Sequence, residues 1–166
     1  MTTQSIRIAG RLAVGTTSLA GAFPHSGTAV GLVTEFAFRV LPLNYMIRAE
    51  EFAGEIADIV ENAEDVWLAC LTQGANANML SQLFGSSDRH YPSSNKPANR
   101  LASGRSTSVV FSPRNTSDFG GLVLYNAIPL WNPDSRIPLN VQEDFGFPIF
   151  FRGIRDDGTG KVYELL

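Results

Sequence analysis

Hydrophobic residues recur at every second position through most of this chain, broken by two long polar stretches. Ser5 to Val14 puts Ile6, Ile8, Leu12 and Val14 on one parity and Arg7, Ala9 and Arg11 on the other, which predicts a strand. Leu32 to Leu41 repeats the pattern, with Leu32, Thr34, Phe36, Phe38 and Val40 on one face, and Pro42 is expected to end it, since proline gives a ladder no N–H. Tyr45 to Phe52 and Glu55 to Glu61 are further strand candidates. A helix competes for Glu50 to Glu64, where Phe52, Ile56, Ile59, Val60 and Ala63 also fit a 3.6-residue period, but Gly54 and the aromatic and β-branched residues before it favour strand. Val66 to Gln73 is apolar on both parities, the signature of a strand covered on both faces, either at a sandwich centre or by a neighbouring subunit.

Ala75 to Phe84 breaks the alternation. Met79, Leu80, Leu83 and Phe84 take helical spacing, Asn76 suits the cap and Gly85 the stop. So short a helix needs a sheet to dock on. After Ser108 to Ser112, which ends at Pro113, strands are expected at Leu122 to Trp131, Leu139 to Val141, Phe147 to Ile154 and Lys161 to Leu165. Phe147, Ile149 and Phe151 share a face, and Asp156 to Gly160 is hairpin chemistry. One helix among eight or nine strands predicts a mainly β fold, an antiparallel sandwich or barrel with one short helix and long loops. The 166 residues fit a single domain spanning 1–166. The polar stretches, about 15–31 and 86–106, are expected to be extended arms or loops. Segments that long without an apolar period tend to be functional or disordered.

Charge is scarce and segregated. Charged residues make up 17% of the chain, where about 25% is ordinary, so part of the surface is expected to be covered by partners. Glu50 to Asp65 holds seven acids and no Lys or Arg, whereas Ser86 to Arg114 sets five bases against Asp88. Opposite patches on one chain can pair between copies and fix their register. The lone Cys70 allows no disulfide within the chain and reads as a buried, inert thiol. MTTQSIRIAG has no cationic region followed by an apolar core, and no apolar run approaches the ~18 residues of a membrane span. The expected site of synthesis and folding is a cytoplasm, with no membrane anchor.

Catalytic patterns are missing from the sequence. His25 and His90 with one Cys make no zinc spacing. Gly158-Thr159-Gly160-Lys161 fails as a phosphate loop: Arg155 stands at the first glycine position, Val162 replaces the Ser or Thr, and no helix follows. Glu50-Glu51 and Glu64-Asp65 are adjacent acids that alternate across a strand, and so cannot flank one cleft as glycosidase carboxylates do. A pI near 5.3 and a basic loop with Tyr91 as its one aromatic disfavour a nucleic-acid reader. The residues give no enzyme and no cofactor.

The ordered pieces SIRIAGRLAVG, GTAVGLVTEFAFRV, MIRAEEFAG, IADIVENAEDVWLACLTQG, ANANMLSQLFG, VVFSP, LVLYNAIPL and IFFRGIRDDGTGKVYELL span most of the chain, and together this layout resembles bacteriophage tail tube (major tail) proteins. The resemblance implies a β-sandwich flanked by a helix, rings of six copies with inner sheets joined into a barrel, and rings stacked into a DNA-conducting tube. It implies a virion structural protein assembled in the host cytoplasm, whose partners are its own copies and other tail proteins (tape measure, terminator, sheath). DNA would pass without specific binding. An acidic lumen would repel phosphates, so Glu50, Glu51, Glu55, Asp58, Glu61 and Glu64 are the expected channel-lining residues, about half of which alternation lets face the lumen. Arg89, Lys96, Arg100, Arg105 and Trp67 are the expected subunit-interface residues. A tail terminator or neck ring shares the general fold and would not stack indefinitely. A carbohydrate-binding β-sandwich using Trp67, Tyr91 or Trp131 as stacking platforms is the alternative of a different class.

Overall fold

A computed structural model of the chain describes residues 9–49, 55–73, 83, 106–116, 119–130 and 147–166. Among them run seven strands: β1 (Gly10–Val14), β2 (Thr28–Ala49), β3 (Glu55–Gln73), β4 (Thr107–Pro113), β5 (Leu122–Leu130), β6 (Phe147–Gly153) and β7 (Tyr163–Leu165). The sheet order is β4-β1-β2-β3-β6-β5-β7, and β4 also pairs with β5. Six antiparallel strands therefore close into a barrel, with β7 an extra strand on the edge of β5 that β6 leaves open: β6 pairs with Ala127–Leu130 and β7 with Leu122–Leu124. Closure removes the exposed edges that an open sheet would present.

Alternation fills the barrel. Leu12 and Val14, Val33 and Phe36, Val66, Leu68 and Cys70, Val109 and Phe111, Leu122, Leu124 and Ala127, Ile149 and Phe151 all belong to one buried cluster. Phe36 and Phe111 stack at its centre, ring centroids 4.1 Å apart, and Phe119 tilts against Phe111 at 6.4 Å. A second buried row, Ala13, Val110 and Val123, crosses β1, β4 and β5 in register on the other side of that wall. Leu83, the one described residue of the expected helix at Ala75 to Phe84, is helical and fully buried in the core cluster.

The strand boundaries correct several expectations. Pro42 does not end a strand: β2 runs on to Ala49, so the expected breaks around Pro42 and before Val66 vanish into two long strands. The reason is the number of neighbours. Among the described residues β2 is paired past Val33 with β3 alone, Pro129 lies where β5 has β6 on one side, and Pro148 precedes the part of β6 that meets β5. At each of these prolines the missing N–H can face an open side and break no ladder bond. The Leu32-to-Val40 parity also fails at its start. A bulge between Val33 and Glu35 leaves Thr34 unpaired, so Val33 and Phe36 both point inward while Leu32 is 54% exposed. The Asp156–Gly160 turn is present, closed by Asp156 N–H on the Lys161 carbonyl at 2.9 Å and Gly160 N–H on the Asp156 carbonyl at 2.7 Å. Its flanking strands do not pair with each other, because both β6 and β7 pair with β5. Thr28 to Gly31, the end of the expected first arm, is strand and not loop, because it pairs with β1. Leu139 to Val141 and the arm at 86–106 lie outside the described strands and, but for residue 106, outside the described residues.

Candidate assembly surface

β2 and β3 form a hairpin longer than the barrel that holds it. From Leu32↔Gln73 to Val40↔Val66 the hairpin is barrel wall, with β6 alongside β3 from Thr72 to Val66. Beyond Leu41↔Asp65, among the described residues, the two strands pair only with each other, through Pro42↔Glu64, Asn44↔Glu61, Tyr45↔Val60, Met46↔Ile59, Ile47↔Asp58 and Ala49↔Glu55. At ~3.3 Å per residue, Pro42–Ala49 carries this two-stranded ribbon about 26 Å past the barrel. Bulges between Leu43 and Asn44 and between Ile47 and Arg48 interrupt its register, and such bulges strengthen the local twist.

The ribbon is apolar on both faces, and no described residue covers either. On one face lie Leu43, Tyr45, Ile47 and Val60; on the other lie Met46, Ile56 and Ile59, and all are between 40% and 64% exposed. A two-stranded hairpin alone is at best marginally stable in water. This one is anchored at its root, where Phe38 meets the Tyr163 ring edge-on at 5.2 Å and Phe38, Val40, Val162 and Tyr163 pack against the core. Burial, with Glu64 beside it, raises the Tyr163 phenol above its ordinary pKa.

The expected channel-lining acids fall on this hairpin where the structure describes them. Asp58 is exposed on the Tyr45 face, its carboxylate accepting the Ile59 N–H at 2.7 Å, and Glu64 is exposed on the opposite face. Register places Glu55 opposite Ala49 and Glu61 opposite Asn44. Glu50 and Glu51 lie outside the described residues, as do Arg89, Lys96, Arg100 and Arg105 of the expected interface.

Trp67 stands on the outer wall below the ribbon. Its indole N–H donates to Asp65 at 2.8 Å, Arg152 donates to the other oxygen of Asp65 at 3.0 Å, and the Arg152 guanidinium lies 4.9 Å from the Trp67 ring. Arg39 faces Trp67 across the β2–β3 ladder. The result is a half-buried aromatic platform rimmed by charge, and Trp and Arg are both enriched in protein interfaces.

At the opposite end of the hairpin lies a cleft of about 690 Å³, walled by Arg11, Leu19, Phe23, His25, Leu32, Gln73, Ser112 and Arg114 among others. His25, within the first of the two polar stretches, is buried here. One ring nitrogen, Nδ1, lies 3.2 Å from the Ala20 carbonyl, which can only accept, so Nδ1 carries the proton; Nε2, 2.7 Å from Ser112 Oγ, then accepts the hydroxyl proton in the neutral ring. Thr16 Oγ1 donates to the His25 carbonyl at 2.9 Å. The Ser112 bond ties the 15–27 loop back onto β4 while the other two hold the loop together, and its tight turn uses positive φ at His25 (56°) and Ser26 (70°). Arg11 lies over Phe23 at 5.5 Å.

Sequence reasoning picked the acids and Trp67 but missed the exposed apolar set. A signal existed: from Leu43 to Val60 apolar and acidic residues mix on both parities, which suits neither a buried strand nor a one-faced one. For the cleft there was none, since the His25–Ser112 contact joins residues far apart in the chain. Among the described residues no three His, Cys, Asp or Glu side chains gather as metal ligands do, and no helix is long and apolar enough to cross a membrane. Neither the protein-family models nor the curated proteins searched contain a match to this chain.

Proposed function

We propose that this protein is a structural subunit that assembles with copies of itself, and specifically the ring-forming subunit of a bacteriophage tail tube. The observation that carries the reading is the ribbon, apolar on both faces and, among the described residues, open along both edges. Exposed apolar surface of that extent marks a surface that a partner covers. Copies arranged about an axis would bury it. Acids on the hairpin suit a channel for DNA, because they repel a phosphate backbone and keep it moving, the reverse of the counterion-releasing contacts that hold it. Because Asp58 and Glu64 lie on opposite faces, a given wall of the channel takes one of them and not both. The outer platform of Trp67, Arg152 and Asp65 is the companion contact between neighbours in a ring.

The test is negative-stain microscopy of the purified protein over a concentration series. Hollow tubes are the expected result. Discrete rings that never stack would transfer the protein to a terminator or neck position, and a monomer at every concentration would overturn the assembly reading. Sugar-dependent stabilisation of that monomer would favour a carbohydrate-binding module.

A further inference from the structure

The ribbon and the cleft occupy opposite ends of one hairpin. The cleft is lined by Leu32, Val33, Thr34 and Gln73 at the hairpin base, whereas the ribbon begins beyond Leu41↔Asp65. Along β2 the two are roughly 30 Å apart. Their chemistry is complementary. The cleft has apolar walls in Leu19, Phe23 and Leu32, two exposed cations in Arg11 and Arg114, and no acid among its described lining residues. The ribbon face with Leu43, Tyr45, Ile47 and Val60 carries an acid, Asp58, among its apolar side chains.

We infer that the occupant of the cleft is the ribbon of a second copy, docked through the face that carries Tyr45, Ile47, Val60 and Asp58. This deepens the tube reading and rests on it. A contact between two different patches of identical chains is heterologous, and unless its rotation closes a ring it repeats from copy to copy along an axis. The two patches here lie at opposite ends of one hairpin, so the repeat follows the hairpin's length. It is the contact between successive rings. Tyr45, Ile47 and Val60 fill the apolar part of the cleft, and Asp58 reaches Arg11 and Arg114 at its rim. A cleft of about 690 Å³ has room for several side chains, within the range in which protein pockets bury most of a ligand's surface. Asp58 is thereby assigned to the contact between copies and not to the channel wall.

The experiment pairs charge reversal with cross-linking. Asp58→Arg and Arg114→Glu are each expected to raise the concentration needed for stacking about tenfold or more, in line with charge pairs removed from water at interfaces. The double variant restores stacking. Both positions are exposed, so circular dichroism melts of the single variants should match the parent. Independently, Tyr45→Cys and Leu32→Cys proteins are mixed under mild oxidation, and a disulfide-linked heterodimer is expected. Tubes that form normally from both charge variants and yield no Tyr45–Leu32 cross-link would overturn the docking and leave the tube reading standing. Rings from the parent that never stack, with no cross-link, would overturn the docking and replace the tube with a terminating ring. A parent that does not oligomerise, with no cross-link between the two cysteine variants, would overturn both.

Discussion

Strand β3 contains two kinds of apolar residue, and substitution should separate them. Leu68 is 1% exposed inside the barrel; Ile59, earlier on the same strand, is 48% exposed on the ribbon. Leu68→Ala removes buried atoms and leaves a cavity, which costs about 2–5 kcal/mol of monomer stability. The triple variant Tyr45→Ser/Ile56→Ser/Ile59→Ser acts elsewhere. These side chains are 64%, 49% and 48% exposed, so about half of the ~1.5–3 kcal/mol available from full burial of each is still to be gained on assembly. Across the three that is roughly 3 kcal/mol per copy, or about a hundredfold in assembly concentration at ~1.4 kcal/mol per decade. Sedimentation velocity over a dilution series reads the assembly term, and thermal melting in the dilute limit reads the monomer term. Leu68→Ala is expected to lower the melting temperature strongly. The triple variant is expected to keep most of the monomer's melting temperature while its assembly threshold moves by about two decades. A triple variant that assembles at the parent's concentration would refute the claim that the ribbon is the assembly element.

Three other perturbations test the barrel and the extra strand β7. A Cβ added at Gly10 would lie 2.5 Å from the Phe111 ring and 2.6 Å from the Ser112 carbonyl oxygen, so Gly10→Ala is expected to destabilise by about 1–3 kcal/mol in a urea titration; an unchanged midpoint would show that the ring and the strand can give way. Burial pushes the Cys70 thiol up to about 12, so a thiol reagent at neutral pH should label it only as fast as the barrel opens, and rapid labelling of the native protein would contradict the packing. At β7, Glu164 accepts from the Tyr125 hydroxyl and from Lys161 at 3.1 Å, which holds its carboxyl below the ordinary 4.5. A carboxylate with a depressed folded-state pKa stabilises above its unfolded value and loses that contribution as pH falls through the folded one. Amide exchange at Leu166, whose N–H bonds the Gly121 carbonyl at 2.9 Å, should therefore accelerate as pH falls below the ordinary 4.5 of that carboxyl, after correction for intrinsic rates. Glu164→Gln should flatten that dependence, and equal profiles for parent and variant would disprove the clasp.

What the sequence disclosed depended on range. Alternation located β1, β4, β5, β6 and β7 because inward residues such as Ile149 and Phe151, or Leu122 and Leu124, repeat at a period of two wherever one face is buried. It also favoured strand over helix for Glu55 to Glu61, as β3 has it. It failed where the deciding fact lay on another strand. Whether Pro42 breaks a strand depends on how many neighbours that strand has, and nothing local to Leu41-Pro42-Leu43 carries this. The bulge at Thr34 reverses the face of Leu32 relative to Phe36 for the same reason: register is a property of the β2–β3 pair. Closure of the barrel through β4–β5 was visible only as one of two options, sandwich or barrel. Trp67 looked doubly covered from its own strand, and is partly exposed: among the described residues the side chain over it from β6 is Arg152.

The distribution of charge bears on which contacts such a ribbon can make. A long, apolar two-stranded element with open edges invites edge-to-edge pairing with its own copies, which ordinary sheets avoid by placing charge on the edge. Along the described ribbon β3 supplies Glu55, Asp58, Glu61 and Glu64, and the facing strand from Pro42 to Ala49 supplies Arg48 as its one base. Two free ribbons brought to a strand spacing of roughly 4.8 Å would set like charges beside each other, which is destabilising. In the proposed contact the acid of the docked face meets the opposite sign, at the cleft with Arg11 and Arg114. Under the proposal, one set of side chains disfavours ribbon on ribbon and favours ribbon on cleft, and the difference between those two contacts would direct growth along an axis in place of indiscriminate sheet extension.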